Sequence, residues 1–281
     1  MLGNERERTA WMGRRWFLNV SKRSANSEKE HAMIVFDIET GPLPDDILRD
    51  RADPFVPPPH PGEFLESSVK VGNLKDALKI QAKIDEARER HSLAVSKYEA
   101  DVESANAAWW SDVVSRAALS PLTGQVLAVG YLSTDTGRVI LDVVDAAGND
   151  EFSILGRFWG QYTKSRASNR RMVGHNIAGF DIPFLMRRTW MLSGDVPPAV
   201  LDKGKWLDST FVDTMSLWGC GNRDAVKLDT LARSFGAGGK SEGVTGAMFA
   251  ELLESDRKKA EEYLENDLRM TAAVAERMGV M

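Results

Sequence analysis

Asp37 and Glu39 stand two residues apart at the end of a short apolar run, Met33-Ile-Val-Phe36, and Thr40-Gly-Pro follows them. With β-branched Ile34 and Val35, the run reads as a buried strand that Gly41-Pro42 stops. Residues two apart on an extended strand share a side, which sets the two carboxylates next to each other. Adjacent carboxylates repel, and a divalent cation with oxygen ligands would relieve them. A strand that merely ends in two solvated acids would carry the same residues.

A second acid, Asp181, lies in Gly174-His-Asn-Ile-Ala-Gly-Phe-Asp-Ile-Pro-Phe-Leu185, where the chain leaves a strand and enters a helix. Aspartate is favoured as a helix N-cap, and Pro183 suits the first turn. Such a rigid position serves a metal ligand equally well. A third acid, Asp267, falls in Tyr263-Leu-Glu-Asn-Asp-Leu-Arg-Met-Thr271. Tyr263 and Asp267 are i and i+4, so they stack on one helical face, which Met270 and Val274 continue. An unpaired carboxylate beside a buried stripe is costly. A metal or a basic partner would remove that cost; an acid at the exposed edge of the stripe would not incur it.

The elements that must position these residues follow from the pattern. After the first strand, 43–65 is rich in proline (Pro54, Pro57, Pro58, Pro59, Pro61) and reads as an extended loop. From 66 to 119 proline is absent, and Leu74, Leu78, Ile84, Ala87, His91, Val95, Tyr98, Val102, Ala105, Trp109 and Val113 recur at helical spacing. This predicts a helical insertion, with Trp109-Trp110 packing it or offering a stacking platform for bases. Gly124–Leu132 and Arg138–Val144 read as an antiparallel hairpin across an Asp-Thr-Gly turn. Short helices are expected over 152–162, 181–192 and 227–235, a strand at 171–175, a short strand or loop segment over 211–215, and two helices over 245–278, the last from about Asp256. Strands followed by alternation with helices indicate an α/β mixed sheet. Residues 1–30 are polar, without sustained period, and read as a flexible N-terminal extension.

Taken in order, the three acidic motifs resemble those of the DEDD (DnaQ-like) superfamily of 3′–5′ exonucleases. Phe-Asp-Ile-Glu-Thr carries the first motif, and His-Asn followed by Phe-Asp the second. Tyr263-x-x-x-Asp267 matches the tyrosine branch of the third, within which the sequence is similar to the proofreading exonuclease domain of family B DNA polymerases. The resemblance covers 33–44 and 122–281. It implies a ribonuclease H-like mixed β-sheet flanked by helices, with 31–281 forming the exonuclease domain and the helical insertion following its first strand. It also implies that Asp37, Glu39, Asp181 and Asp267 hold two divalent metal ions, Mg²⁺ or Mn²⁺, and that Tyr263 orients the attacking water. With an ordinary phenol pKa near ~10, Tyr263 would do so by hydrogen bonding. Thr40 would lie near the 3′-terminal nucleotide, and Asn176 and Phe180 near the substrate strand, although Phe180 is equally readable as core. His175 reads as a strand-end histidine bonded to backbone.

The implied substrate is the 3′ end of single-stranded DNA, in preference to RNA, with nucleoside 5′-monophosphates released. Any proofreading role would need a separate polymerase or repair protein. The contrasting reading is a catalytically silent domain that acts as a protein-interaction or nucleic-acid-binding scaffold through its insertion.

Composition is compatible with this. The net charge of −5 seems adverse to nucleic acid, but two divalent ions would raise it to −1, and basic clusters occur at 164–171, 187–188, 203–205 and 257–259. A single cysteine, Cys220, excludes an intramolecular disulfide. No apolar run approaches a membrane span and no signal-peptide core is present, so the expected location is cytoplasmic. Gly236-Ala-Gly-Gly-Lys-Ser241 lacks the first glycine of a phosphate-binding P-loop and follows a helix rather than a strand.

Overall fold

The computed structural model describes residues 33–202, 207–222, 224–239 and 246–280. The N-terminal extension expected over 1–30 and the basic cluster at 203–205 lie outside them. The chain divides into two compact units, residues 42–124 and the remainder.

The larger unit is built on a five-stranded sheet in the order β3-β2-β1-β4-β5. Its strands are β1 (Ile34–Pro42), β2 (Gly124–Ser133), β3 (Val139–Val143), β4 (Met172–Gly174) and β5 (Phe211–Asp213). β1 pairs parallel with β4 and β4 with β5, whereas β2 and β3 are antiparallel, Tyr131 opposite Ile140. At the start of β1, Met33 exchanges hydrogen bonds with Thr134 after β2; near its end, Gly41 sits against Leu127. β2 therefore runs opposite to β1. This is a ribonuclease H-like sheet, mixed and flanked by helices.

β1 continues through Gly41-Pro42 instead of stopping there. Glycine is required at that point because a Cβ would collide with Leu127 Cδ1 and stand 3.0 Å from Ala250 Cβ.

The helices are α1 (Asp45–Arg51), α2 (Ala77–Ala117), α3 (Glu151–Ala167), α4 (Asp181–Met191), α5 (Pro198–Leu201), α6 (Thr214–Trp218), α7 (Leu228–Ser234), α8 (Phe249–Ser255) and α9 (Arg257–Arg277). Strand alternation sorts the core into two layers. Ile34, Phe36 and Ile38 bury against α3 (Ile154, Phe158) and α4 (Ile182, Leu185). Met33 and Val35 bury on the other side against Leu268 and Ala275 of α9. One buried ion pair ties the first layer together: Arg188 Nε and Nη2 donate to Glu151 Oε1 and Oε2 at 2.8 and 2.6 Å. Glu151 Oε1 also accepts from the Val126 N–H at 2.8 Å, locking α3, α4 and β2.

Within the smaller unit, the expected insertion is one continuous helix, α2, started by Asp76, whose side chain accepts from the Leu78 N–H at 3.0 Å. The stretch expected to be loop over 43–65 opens with α1, because proline is missing between 45 and 53; beyond it the chain is extended to 65. That extended segment runs back along the predicted stripe of α2. Phe55 packs on Trp109, His60 on Tyr98 and Phe64 on His91, and the Tyr98 hydroxyl donates to Pro58 O at 3.3 Å. Arg49 lies 3.7 Å over the Trp110 ring. The tryptophan pair is thus spent on packing within this unit.

Candidate metal centre

Alternation along β1 decides where the first two acids point. Met33 and Val35 face α9, so Asp37 and Glu39, two and four residues further, face α9 as well. There Asp267, 4% exposed, stands between buried Leu264 and Leu268 in the middle of the helix. Ligand oxygens of Asp37, Glu39 and Asp267 all lie within 4.8 Å of one another. At that range each pair of ionised carboxylates repels by roughly 3 kcal/mol, taking an effective dielectric of ~20. Three carboxylates this close form an all-oxygen donor set that would suit a hard divalent cation such as Mg²⁺.

Asp181 approaches β1 from the α4 side. It is the first residue of α4, and Phe180 (φ −129°, ψ −68°), not Asp181, occupies the cap. The carboxylate makes no cap hydrogen bond; it lies near the Ile38 N–H, between the two β1 acids, and near its own N–H. Oδ1 is buried and has no hydrogen-bond partner among the described residues. Burial pushes the Asp181 pKa up to about 7, and the nearby Asp213 charge adds to the rise against the two backbone donors. Asp181 is not one of the three converging acids, but its orphaned oxygen is what a cation at this strand end would satisfy.

The turn that carries Asp181 is fixed by a residue to which the sequence pattern assigned no role. Asp213, at the end of β5, accepts from the Asn176 N–H on Oδ1 (2.9 Å) and from the Ala178 N–H on Oδ2 (3.0 Å). Its Oδ1 also accepts from the Met215 N–H at 2.9 Å. Asn176 adopts φ +64°, and its carbonyl receives the N–H groups of Gly179 and Phe180, closing the turn. Asp213 also caps α6, whose first residue follows it.

The remaining predicted residues are placed as follows. Tyr263 is buried one turn before Asp267, with its ring 6.4 Å from Phe249. Gly246 marks its approach to the acids: a Cβ there would stand 3.6 Å from Glu39 Oε2 and 3.9 Å from Tyr263 Oη. No sequence signal singles Gly246 out, because nothing in its neighbourhood is periodic. Thr40 is buried on β1 beside Glu39. Phe180 is half-buried, with its ring 5.4 Å from Phe184, against the α3–α4 core. His175 is structural: Nε2 donates to Val226 O at 2.8 Å and Nδ1 lies 2.8 Å from Thr214 Oγ1, while burial holds its pKa below the ordinary value. Among the described residues, no helix is long and apolar enough to cross a membrane.

No family model and no curated protein matches the sequence. Among solved structures, the chain is similar to the family B DNA polymerase of the hyperthermophilic archaeon Pyrobaculum calidifontis, with TM-score 0.47 and 23% identity. The match covers 58% of this chain and 23% of the polymerase, so it spans under a quarter of the polymerase's length.

Proposed function

We propose that the chain is a metal-dependent 3′–5′ exonuclease of the DnaQ-like tyrosine branch, acting on single-stranded DNA in preference to RNA. The observation that carries this reading is the convergence of Asp37, Glu39 and Asp267 from a central strand and a facing helix. Asp181 is the proposed fourth ligand, and the set would hold two Mg²⁺ or Mn²⁺ ions. Those ions would neutralise charge on the attacking and leaving oxygens and lower the pKa of a bound water.

The chain's own groups do the positioning. The neutral Tyr263 phenol orients the attacking water by a hydrogen bond, and Gly246 leaves the space between Tyr263 and Glu39 open for it. Thr40 borders the 3′-terminal nucleotide, and Asn176 and Phe180 border the substrate strand. Water adds to the terminal phosphorus, the bond to the 3′ oxygen breaks, and a nucleoside 5′-monophosphate departs from a strand ending in a free hydroxyl. A separate polymerase or repair protein is the proposed partner in any DNA-repair role.

The test is incubation with 3′- and 5′-labelled DNA and RNA strands and Mg²⁺ or Mn²⁺, with and without EDTA. Metal-dependent release of mononucleotides, lost in Asp37→Ala, supports the reading. No release, or equal release by Asp37→Ala, overturns it and leaves a silent domain acting through its helical insertion, 66–119.

A further inference from the structure

On the opposite side of the sheet from the acids, a groove of about 630 Å³ opens between α3 and the exposed face of the β2–β3 hairpin. Its floor is flat and partly apolar: Tyr131 and Ile140 are cross-strand partners on one face, and Ile140 is 48% exposed. Its wall is α3, where Gly156 and Gly160 follow each other at i, i+4. Glycine weakens a helix relative to alanine, and packing does not require it here: nothing lies within 4 Å of where either Cβ would stand. The two glycines bare helix backbone along the groove and keep it open.

The rim is cationic. Arg157 donates to Asp142 at 2.6 Å, and Arg170 to Asp135 at 2.7 Å. Arg138 and Lys164 also line the groove and have no carboxylate partner among the described residues. Beneath them the Tyr131 hydroxyl is buried beside Asp142 and Arg157 with no hydrogen-bond partner among the described residues.

We propose that this groove is a second binding site, for a mononucleotide: a flat ring on the Tyr131–Ile140 floor beside the glycine wall, and a phosphate on Arg138 and Lys164. The volume falls in the range of small-ligand pockets. The site is independent of the metal centre and does not rest on the exonuclease reading.

The experiment is isothermal titration of the whole protein in EDTA with AMP, and separately with adenosine, ribose 5-phosphate and inorganic phosphate. AMP is expected to bind with a Kd below about 1 mM and at least tenfold more tightly than each of the other three. The Arg138→Glu/Lys164→Glu double variant and Gly160→Leu should each weaken AMP at least tenfold, with Asp37→Ala unchanged. Gly160→Ala should raise the melting temperature and weaken AMP less than Gly160→Leu does. Urea unfolding verifies that each variant is folded; the double variant alters only exposed side chains and decides the matter if Gly160→Leu does not fold. Absence of AMP binding, adenosine or phosphate binding as tightly as AMP, insensitivity to the charge reversals, or loss of binding in Asp37→Ala would each overturn the proposal.

Discussion

Replacing Asp181 by asparagine should stabilise the metal-free protein, increasingly so as the pH rises. The carboxyl is 3% exposed, and burial raises its pKa from 3.8 to about 7. Between those values the unfolded chain binds fewer protons than the folded one, so the wild type loses stability as the pH rises through that window and levels off above it. At ~1.36 kcal/mol per pH unit, the penalty is on the order of 2 kcal/mol at pH 5 and on the order of 4 kcal/mol at pH 8.5. Asparagine cannot ionise and escapes it. Any fixed effect of the amide is independent of pH, so the advantage of Asp181→Asn should grow by roughly 2–3 kcal/mol from pH 5 to pH 8.5. Urea unfolding in EDTA at pH 5, 7 and 8.5 measures this directly. With saturating Mg²⁺ the ordering at pH 8.5 should reverse, because the cation stabilises only a site that offers the ionised carboxylate. A difference between variant and wild type that stays constant with pH in EDTA would refute the reasoning.

Other perturbations probe different parts of the site. Tyr263→Phe should lower kcat for mononucleotide release by about 10²-fold while leaving KM and the melting temperature nearly unchanged, since only the hydroxyl is lost; an unaltered kcat would remove Tyr263 from the mechanism. Gly246→Val places branched bulk between Glu39 and Tyr263, and should weaken Mg²⁺ binding by about tenfold in titration calorimetry while Gly246→Ala has a smaller effect. Glu151→Gln strips the charge from the buried acceptor of two Arg188 hydrogen bonds, at a cost of about 3–5 kcal/mol in urea unfolding. Asp213→Ala removes the acceptor of the Asn176 and Ala178 N–H groups; kcat should fall at least tenfold through misplacement of Asp181, with KM for the oligonucleotide less affected.

Much of the layout was legible in residue order because it is local. The apolar run from Met33 to Phe36 marks β1, and extended geometry puts Asp37 and Glu39 on a shared side. The i, i+4 relation puts Tyr263 and Asp267 on one face of α9. The stripe from Ile84 to Val113 predicts α2, and the absence of proline lets it run unbroken to Ala117. Where local rules misled, a distant contact had intervened. Gly41-Pro42 reads as a strand stop, but β1 runs on because Leu127 packs over the glycine. Asp181 reads as a cap, but Phe180 takes that position and Asp181 is buried near Ile38, on a strand more than a hundred residues earlier.

The sequence by itself determined the acidic inventory, its order and the element that carries each member. Only the tertiary structure decided that oxygens from residues 37, 39 and 267 meet within 4.8 Å, that Asp213 braces the turn leading to Asp181, and that Gly246 faces Glu39 and Tyr263. The reason is physical: a side chain's direction along a strand or helix is set by backbone periodicity, which a short stretch contains. Which side chains from remote stretches share a few ångströms is set by how the layers pack.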